Sequence, residues 1–213
     1  MKEIWQRIEI WLKDNEPDLL SGLQPGATEE QIAALEKTLR IQLPEQFRRS
    51  ALVHDGQNQD AIGLVDYWEL LSLRRIEDEW KIWKGLLDNR EFVDDKSEPE
   101  AGVKDDWWNE RWIPIAADGE GNNLCLDLDP APGGAYGQVI TLWHDSGERE
   151  LVAQSYRDWL TSLAAGLETG KTSDREAVVR TNYLPEPEAD FIPSELRQKY
   201  LNERREFFLE EQR

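Results

Sequence analysis

The chain has 213 residues, of which 39% are apolar and ten are tryptophan, so it can form a core of ordinary domain size. No apolar run approaches the roughly 18 residues needed to cross a bilayer, and the charged N-terminal segment lacks the features of a signal peptide. The single cysteine, Cys125, excludes an intrachain disulfide and a cysteine-based metal cluster. We therefore expect a cytoplasmic protein with no membrane partner.

Acidic residues dominate the charge, with 44 Asp and Glu against 25 Lys and Arg, for a net charge of −19. A surface of this sign repels nucleic acid, which is therefore not an expected partner. Residues 60–129 carry 19 acidic and 8 basic side chains, whereas residues 171–213 carry 10 and 8. A uniform excess would serve only solubility. The uneven distribution favours an acidic face offered to a basic partner.

Three helices are predicted in the first 56 residues. The first ends before Pro17 and buries residues at helical spacing, namely Ile4, Trp5, Ile8, Trp11 and Leu12. Thr28 and Gln31 have the spacing of a capping box that opens the second helix, whose apolar stripe is Ile32, Leu35 and Leu39. Pro44 is predicted to be the first residue of the third helix, which stops at Gly56 and buries Phe47, Ala51 and Leu52.

The middle of the chain combines a strand, a helix and a loop. Residues 60–73 are predicted to begin with a strand, and residues 74–88 form a helix with Ile76, Trp80, Trp83 and Leu87 on one side. Residues 91–110 contain acids, proline and glycine without apolar periodicity, which is typical of a solvent-exposed loop.

A β-meander follows, because three apolar runs alternate with turn residues over 112–116, 123–128 and 137–143. Leu124, Leu126 and Leu128 alternate with polar positions, as in a half-buried strand. A fourth short strand is predicted over 149–153. Ser155 then caps a helix that closes near Gly170, with Tyr156, Trp159, Leu160, Leu163 and Leu167 on its apolar side. Residues 171–193 are predicted to be a linker and 194–213 an amphipathic helix.

Catalytic patterns are weak. His54 and His144 are the two possible imidazole bases, and each is predicted to have a structural or surface role. Asp118, Asp127 and Asp129 could bind a hard cation, and with His144 they define a less favoured hypothesis of a metal-dependent hydrolase. Their spacing does not match an EF-hand, and Asp-Gly and Asp-Pro pairs are ordinary in turns. We therefore expect no cofactor and no bound metal.

The predicted partner-binding residues lie in the acidic loop and in the first turn of the meander. Aromatic residues beside charged ones are typical of interface hot spots, although such tryptophans can equally anchor a loop to the core. The predicted set is Asp94, Asp95, Glu98, Glu100, Asp105, Asp106, Trp107, Trp108, Glu110, Asp118 and Glu120.

Two segments resemble the SUKH superfamily, in the branch named for the yeast cell-wall assembly and glucan-synthesis regulator. The first is carried by Gly26, Ile32, Leu35, Leu39, Leu43, Pro44, Phe47, Asp55 and Gly56. The second runs from Trp112 to Asp145 and has Trp-x-Pro-Ile, Asp-Gly-x-Gly, Leu-Asp-x-Asp-Pro and Gly-x-Val in order. Residues 155–170 resemble the closing helix of the family, so the resemblance covers roughly residues 1–170.

The resemblance implies an α+β domain, with helices packed around a mixed, largely antiparallel sheet. It implies no shared catalytic residues. Bacterial members are similar to immunity proteins that neutralise toxins, often nucleases, and fungal relatives are scaffolding regulators of cell-wall synthesis. Because a basic toxin would pair with an acidic surface, an immunity-type protein is the main expectation. The scaffold or regulator is the alternative, since fold alone does not decide function.

Overall fold

The computed structural model describes residues 1–59, 61, 63–65 and 68–169. The chain divides into two units, Met1–Arg180 and Thr181–Arg213, and all described residues belong to the first. The predicted linker at 171–193 and helix at 194–213 lie outside the described residues. Within the described residues the helices are α1 Lys2–Asn15, α2 Pro17–Gly22, α3 Glu29–Leu39, α4 Glu45–Ala51, α5 Leu73–Asp88 and α6 Tyr156–Thr169. The strands are β1 Glu69–Leu70, β2 Glu98–Pro99, β3 Trp112–Ala117, β4 Asn123–Asp127, β5 Gln138–Leu142, β6 Glu148–Arg149 and β7 Leu151–Ala153.

A five-stranded sheet has the order β1-β3-β4-β5-β7, and every neighbouring pair in it is antiparallel. A separate parallel pair joins β2 to β6. The predicted α+β fold with a largely antiparallel sheet is therefore confirmed, and so is the meander. The strand register shifts between Pro114 and Ala116, and such a bulge accommodates a proline that has no N–H to donate to the ladder.

The main core lies on one face of the sheet, under the helices. It takes Leu124 and Leu126 from β4, with Ile113 and Ile115 from β3, and packs them against the apolar faces of the helices. The predicted capping box opens α3, because the Thr28 hydroxyl accepts the Gln31 N–H at 3.2 Å and the Gln31 side chain accepts the Thr28 N–H at 2.7 Å. The sequence therefore predicted the start of α3 correctly.

A second core lies on the opposite face and is rich in tryptophan. Its buried members are Trp83, Val103, Trp108, Trp112, Cys125, Ile140 and Leu142. Within β4, residues 123, 125 and 127 face this core while 124 and 126 face the other, and all five are buried. The prediction of a half-buried strand was therefore wrong: β4 is covered on both faces.

Three further predictions needed correction. Leu52 is 37% exposed because α4 ends at Ala51 and leaves it in the following turn. Pro44 is the residue before α4 rather than its first residue. Between residues 60 and 73, the strand that the structure describes is only Glu69–Leu70. Among the described residues, every helix is too short or too polar to span a bilayer.

The turn at Asp55 and Gly56 joins the helical layer to the sheet. The Asp55 carboxylate accepts the N–H of Leu73 at 2.7 Å, at the start of α5, and burial raises the pKa of this carboxyl. Gly56 has φ of +65°, and a Cβ there would lie 2.4–2.6 Å from backbone atoms of residues 70–72. Only glycine satisfies both constraints without strain.

Replacing Gly56 by alanine should therefore destabilise the fold by at least about 2 kcal/mol, since positive φ and a backbone clash act together. The matched control is Gly85→Ala in α5, where an added Cβ meets nothing within 4 Å. This change should stabilise by about 0.5–1 kcal/mol, because alanine is favoured over glycine inside a helix. Urea unfolding of both variants measures the difference, and equal effects would contradict the prediction.

Candidate functional site

The acidic segment, residues 89–110, covers the second core. It carries eight acidic and three basic side chains, and its aromatic residues point inward. The Trp108 ring stacks on Trp83 with centroids 6.3 Å apart and meets Trp80 edge-on at 6.1 Å. Trp108 is only 3% exposed, so it cannot contact a partner directly. The expectation that Trp108 binds a partner is thereby corrected: Trp108 anchors the segment, and the segment is not a solvent-exposed loop throughout.

Arg149 fastens this segment to the sheet. Its guanidinium donates to the Trp107 carbonyl at 2.7 and 3.2 Å, and to the carbonyls of Ser146 and Glu148 at 2.7 and 2.6 Å. It also stacks on the half-buried Trp107 ring at 5.0 Å from the centroid. Burial lowers the pKa of Arg149 to about 10. Carbonyl oxygens thus satisfy this buried cation, and its ion pairs with acids do not occur among the described residues.

The β2–β6 pair then brings acids from two distant parts of the chain together. Glu98 lies directly opposite Glu148, and the backbone bonds run from Glu98 to Gly147 and from Glu100 to Arg149. Both glutamates are exposed, and neither forms an ion pair with a described residue. Like charges at opposite positions disfavour strand pairing. The sequence reasoning missed Glu148, because nothing in the local pattern shows a parallel pairing across 50 residues.

Two more predicted residues adjoin this pair. The Glu100 carboxylate accepts the N–H of Leu151 at 2.9 Å, and the Asp105 carboxylate accepts the Ser97 hydroxyl at 2.7 Å. We call Glu98, Glu100, Asp105 and Glu148 the acidic surface. Pro99 lies in the edge strand β2 between the two donating amides, so its missing N–H costs no strand bond.

The remaining predicted residues are dispersed. Asp94, Asp95 and Glu110 are exposed, and the Asp106 carboxylate accepts the Asn109 side chain at 2.8 Å. Asp118 and Glu120 belong to the β3–β4 turn, at the far end of β3 from Glu110. The six residues of β3 separate this turn from Glu110 by roughly 17 Å. The connection that leads to Glu148, by contrast, contacts the same turn, because His144 bonds Asn122.

The structure does not bring together the three aspartates of the metal hypothesis. Asp118 holds the β3–β4 turn by accepting the N–H groups of Glu120 and Asn122, whereas Asp127 and Asp129 lie at the opposite end of β4. Asp127 accepts from Trp112, Gln138 and the Asp129 amide, and burial raises its pKa. No group of three His, Cys, Asp or Glu that could hold a metal ion occurs among the described residues.

The two histidines take part in packing contacts. His54 bonds the Gln24 carbonyl at 2.9 Å and the Glu9 carboxylate at 2.8 Å, and meets Trp5 edge-on. His144 bonds the side chain of Asn122 at 2.9 Å beside the β3–β4 turn. Neither histidine ring is hydrogen-bonded to the side chain of a described serine, threonine or cysteine, as a nucleophile–base pair requires.

An open groove of about 630 Å³ lies between the α3–α4 connection and the β4–β5 connection, and its lining does not include a residue of the acidic surface. Its lining includes Pro44, Gln46, Arg48 and the exposed Tyr136, whose hydroxyl donates to the Gln42 carbonyl. Arg48 already binds Glu29 and Glu36, so the groove does not present a free cation to an anionic ligand.

Lys104 and Asp129 provide a test of how the acidic segment is held. Their contact lowers the pKa of the Asp129 carboxyl below its ordinary 3.8. A lowered folded-state pKa stabilises the fold above pH 3.8, and this stabilisation is lost as the pH falls through the lowered value. Because both side chains are 39% exposed, Asp129→Asn should cost at most about 1 kcal/mol at pH 7.

The difference between wild type and Asp129→Asn should shrink as the pH falls below 3.8, as measured by urea unfolding at several pH values. Asp14→Asn, at an exposed position of α1, is the control and should change stability by less than about 0.5 kcal/mol. A difference that grows toward acid would contradict the assignment.

Comparison with known proteins identifies relatives. The chain is 33% identical over 185 residues to the cell wall biosynthesis/cell cycle regulator smi1 of Schizosaccharomyces pombe, covering 80% of this chain and 37% of that protein. It is 28% identical to the glucan synthesis regulatory protein of Neurospora crassa, covering 78% and 38%. It is 25% identical to the cell wall assembly regulator SMI1 of Saccharomyces cerevisiae, covering 78% and 40%.

The aligned part thus spans less than half the length of each of these three relatives. The sequence model of the SMI1 / KNR4 family (SUKH-1) matches residues 26–162, which include both segments on which the resemblance was based and the whole of the five-stranded sheet. The chain belongs to the SMI1 / KNR4 family (SUKH-1).

Proposed function

We propose that this protein is a non-catalytic regulator of the cell-wall assembly type, which binds a positively charged protein partner through its acidic surface. The observation that carries the binding proposal is the β2–β6 pair. Glu98 and Glu148 are exposed, lie opposite each other and have no cationic neighbour in an ion pair among the described residues. A basic side chain of a partner would relieve their repulsion.

The contrast with α5 supports this location. Along that helix, Glu77, Asp78, Glu79 and Asp88 are each paired with a Lys or Arg of the same helix. Their charge is therefore largely neutralised at short range. On the acidic surface the nearby cation Arg149 is buried and directed to backbone carbonyls. Each of its guanidinium nitrogens is bonded within the protein, so Arg149 forms no ion pair with a described carboxylate.

The names of the relatives favour a regulator over an immunity protein. The three compared above are named as regulators of cell-wall biosynthesis, glucan synthesis or cell-wall assembly. An acidic surface alone would suit a basic toxin equally well, because it indicates only the sign of the partner's charge. The identity of the partner distinguishes the two: a component of the wall-synthesis machinery supports the proposal, and a secreted toxin domain would replace it.

Charge reversal tests the surface. The double variant Glu98→Lys, Glu148→Lys should slow association with the purified partner by at least about tenfold at low salt, and the effect should shrink at high salt, because steering by exposed charges is screened. Association rates by surface plasmon resonance at about 50 and 300 mM salt are the measurement.

The matched control is Glu3→Lys, Asp14→Lys, which makes the same change in net charge on exposed positions of α1. It should alter the association rate by less than about twofold, since local rather than net charge decides the contact. Equal slowing by both double variants would show that only net charge matters and would remove the acidic surface as the binding site.

A further inference from the structure

Ser97 stands in a context that differs from that of the other described serines. It precedes β2 in the stretch Asp94–Asp95–Lys96–Ser97–Glu98–Pro99–Glu100, with acids one and three positions after it. Ser155 also has an acid three positions later, but its hydroxyl is bound to that acid, Asp158, at the start of α6. Ser97 is partly exposed and follows a run of exposed residues outside helices and strands.

We propose that Ser97 is a phosphorylation site for an acidophilic serine/threonine kinase, and that the phosphate loosens the β2–β6 pair. Kinases discriminate substrates by charge pattern. Asp94 and Asp95 precede the serine, which disfavours kinases that select basic residues there, and Pro99 is one position too late for a kinase that requires proline directly after the serine. Glu98 and Glu100 fit basic pockets that bind acids after the serine.

The residues around Ser97 can enter the active-site cleft of a kinase at a low free-energy cost, because only the β2–β6 pair has to open. β2 pairs with its partner over two residues, and this pairing is flanked by backbone bonds from Glu98 to Gly147 at 2.6 Å and from Glu100 to Arg149 at 2.9 Å. A two-residue pair of this kind opens locally far more readily than the central sheet. The acidic segment remains anchored elsewhere by Trp108 and Arg149, so opening at Ser97 does not require the second core to unfold.

The chemical step is an ordinary phosphoryl transfer. The Ser97 Oγ attacks the γ-phosphorus of ATP, a new O–P bond forms, and the bond to the bridging β–γ oxygen breaks. ADP leaves, and the hydroxyl proton passes to the base of the kinase.

The product changes the contacts of Ser97 in a defined way. The hydroxyl now donates to the Asp105 carboxylate at 2.7 Å, and the phosphate ester has no such proton. The donated bond is therefore replaced by repulsion between Asp105 and a group carrying about −1.5 to −2 charge. Glu98 and Glu148 already oppose each other one residue away, so the added charge acts against the pairing of β2 with β6.

Phosphorylation is tested by incubating the full chain with ATP, Mg²⁺ and a kinase of the casein kinase 2 type, followed by site-localising mass spectrometry. Wild type and the matched variant Ser146→Ala should gain a phosphate at Ser97, and Ser97→Ala should not. A synthetic peptide of residues 91–103 is treated in parallel. Phosphate absent from Ser97 of the full chain, whether or not the peptide is modified, overturns the proposal.

The loosening is tested by hydrogen exchange at the amides of Glu98 and Glu100. In phosphorylated protein and in Ser97→Asp these amides should exchange at least about tenfold faster than in wild type. Ser97→Ala removes the hydroxyl donor without adding charge and should have a smaller effect. Unchanged exchange in the phosphorylated protein would overturn the switch. Neither readout involves a partner, so a failed charge-reversal experiment and a failed phosphorylation experiment are distinguishable.

Discussion

Strand β4 is buried on both faces, and both cores of the protein are built against it. Apolar side chains at Leu124 and Leu126 face the helical core, while Asn123 and Asp127 are fully buried on the other side. Buried polar groups must find hydrogen-bond partners. Asn123 accepts a hydrogen bond from the Trp83 indole N–H at 2.8 Å. The Asp127 carboxylate accepts from the Trp112 indole N–H and from the Gln138 side-chain amide. A second layer containing α5 and the acidic segment is therefore required.

That requirement explains why so acidic a segment is also so aromatic. Its inward side supplies Trp108 and Phe92 to the second core, and its outward side carries the carboxylates. A buried guanidinium is costly unless it is hydrogen-bonded. Each of the three guanidinium nitrogens of Arg149 donates to a backbone carbonyl, of Trp107, Ser146 or Glu148. The same contacts place β6 beside β2, so the stabilising arrangement of the second layer is also what assembles the acidic surface.

Local patterns predicted the elements that local interactions decide. Such elements are the capping box at Thr28 and Gln31, the apolar stripe of α3 and the three central strands. Each depends on residues close together in the chain, so its pattern can be recognised in the sequence. The candidate site was only partly predictable. Charge predicted Glu98, Glu100 and Asp105 as members of it, but Glu148 was not predicted, and Trp108 was expected to bind a partner although it is buried. Both errors concern contacts between segments about 25–50 residues apart.

The amino-acid sequence was enough to predict the α+β class, the antiparallel meander, the family and the concentration of acid in the middle of the chain. These follow from periodicity, capping and composition, which depend on residues close together in the chain. The packing of the folded chain was needed to show that Trp108 lies inside, that Asp118 lies far from Glu110 and that Glu98 meets Glu148. Such facts arise when distant segments compete to cover the same sheet face, and the outcome depends on packing that no single stretch of sequence encodes.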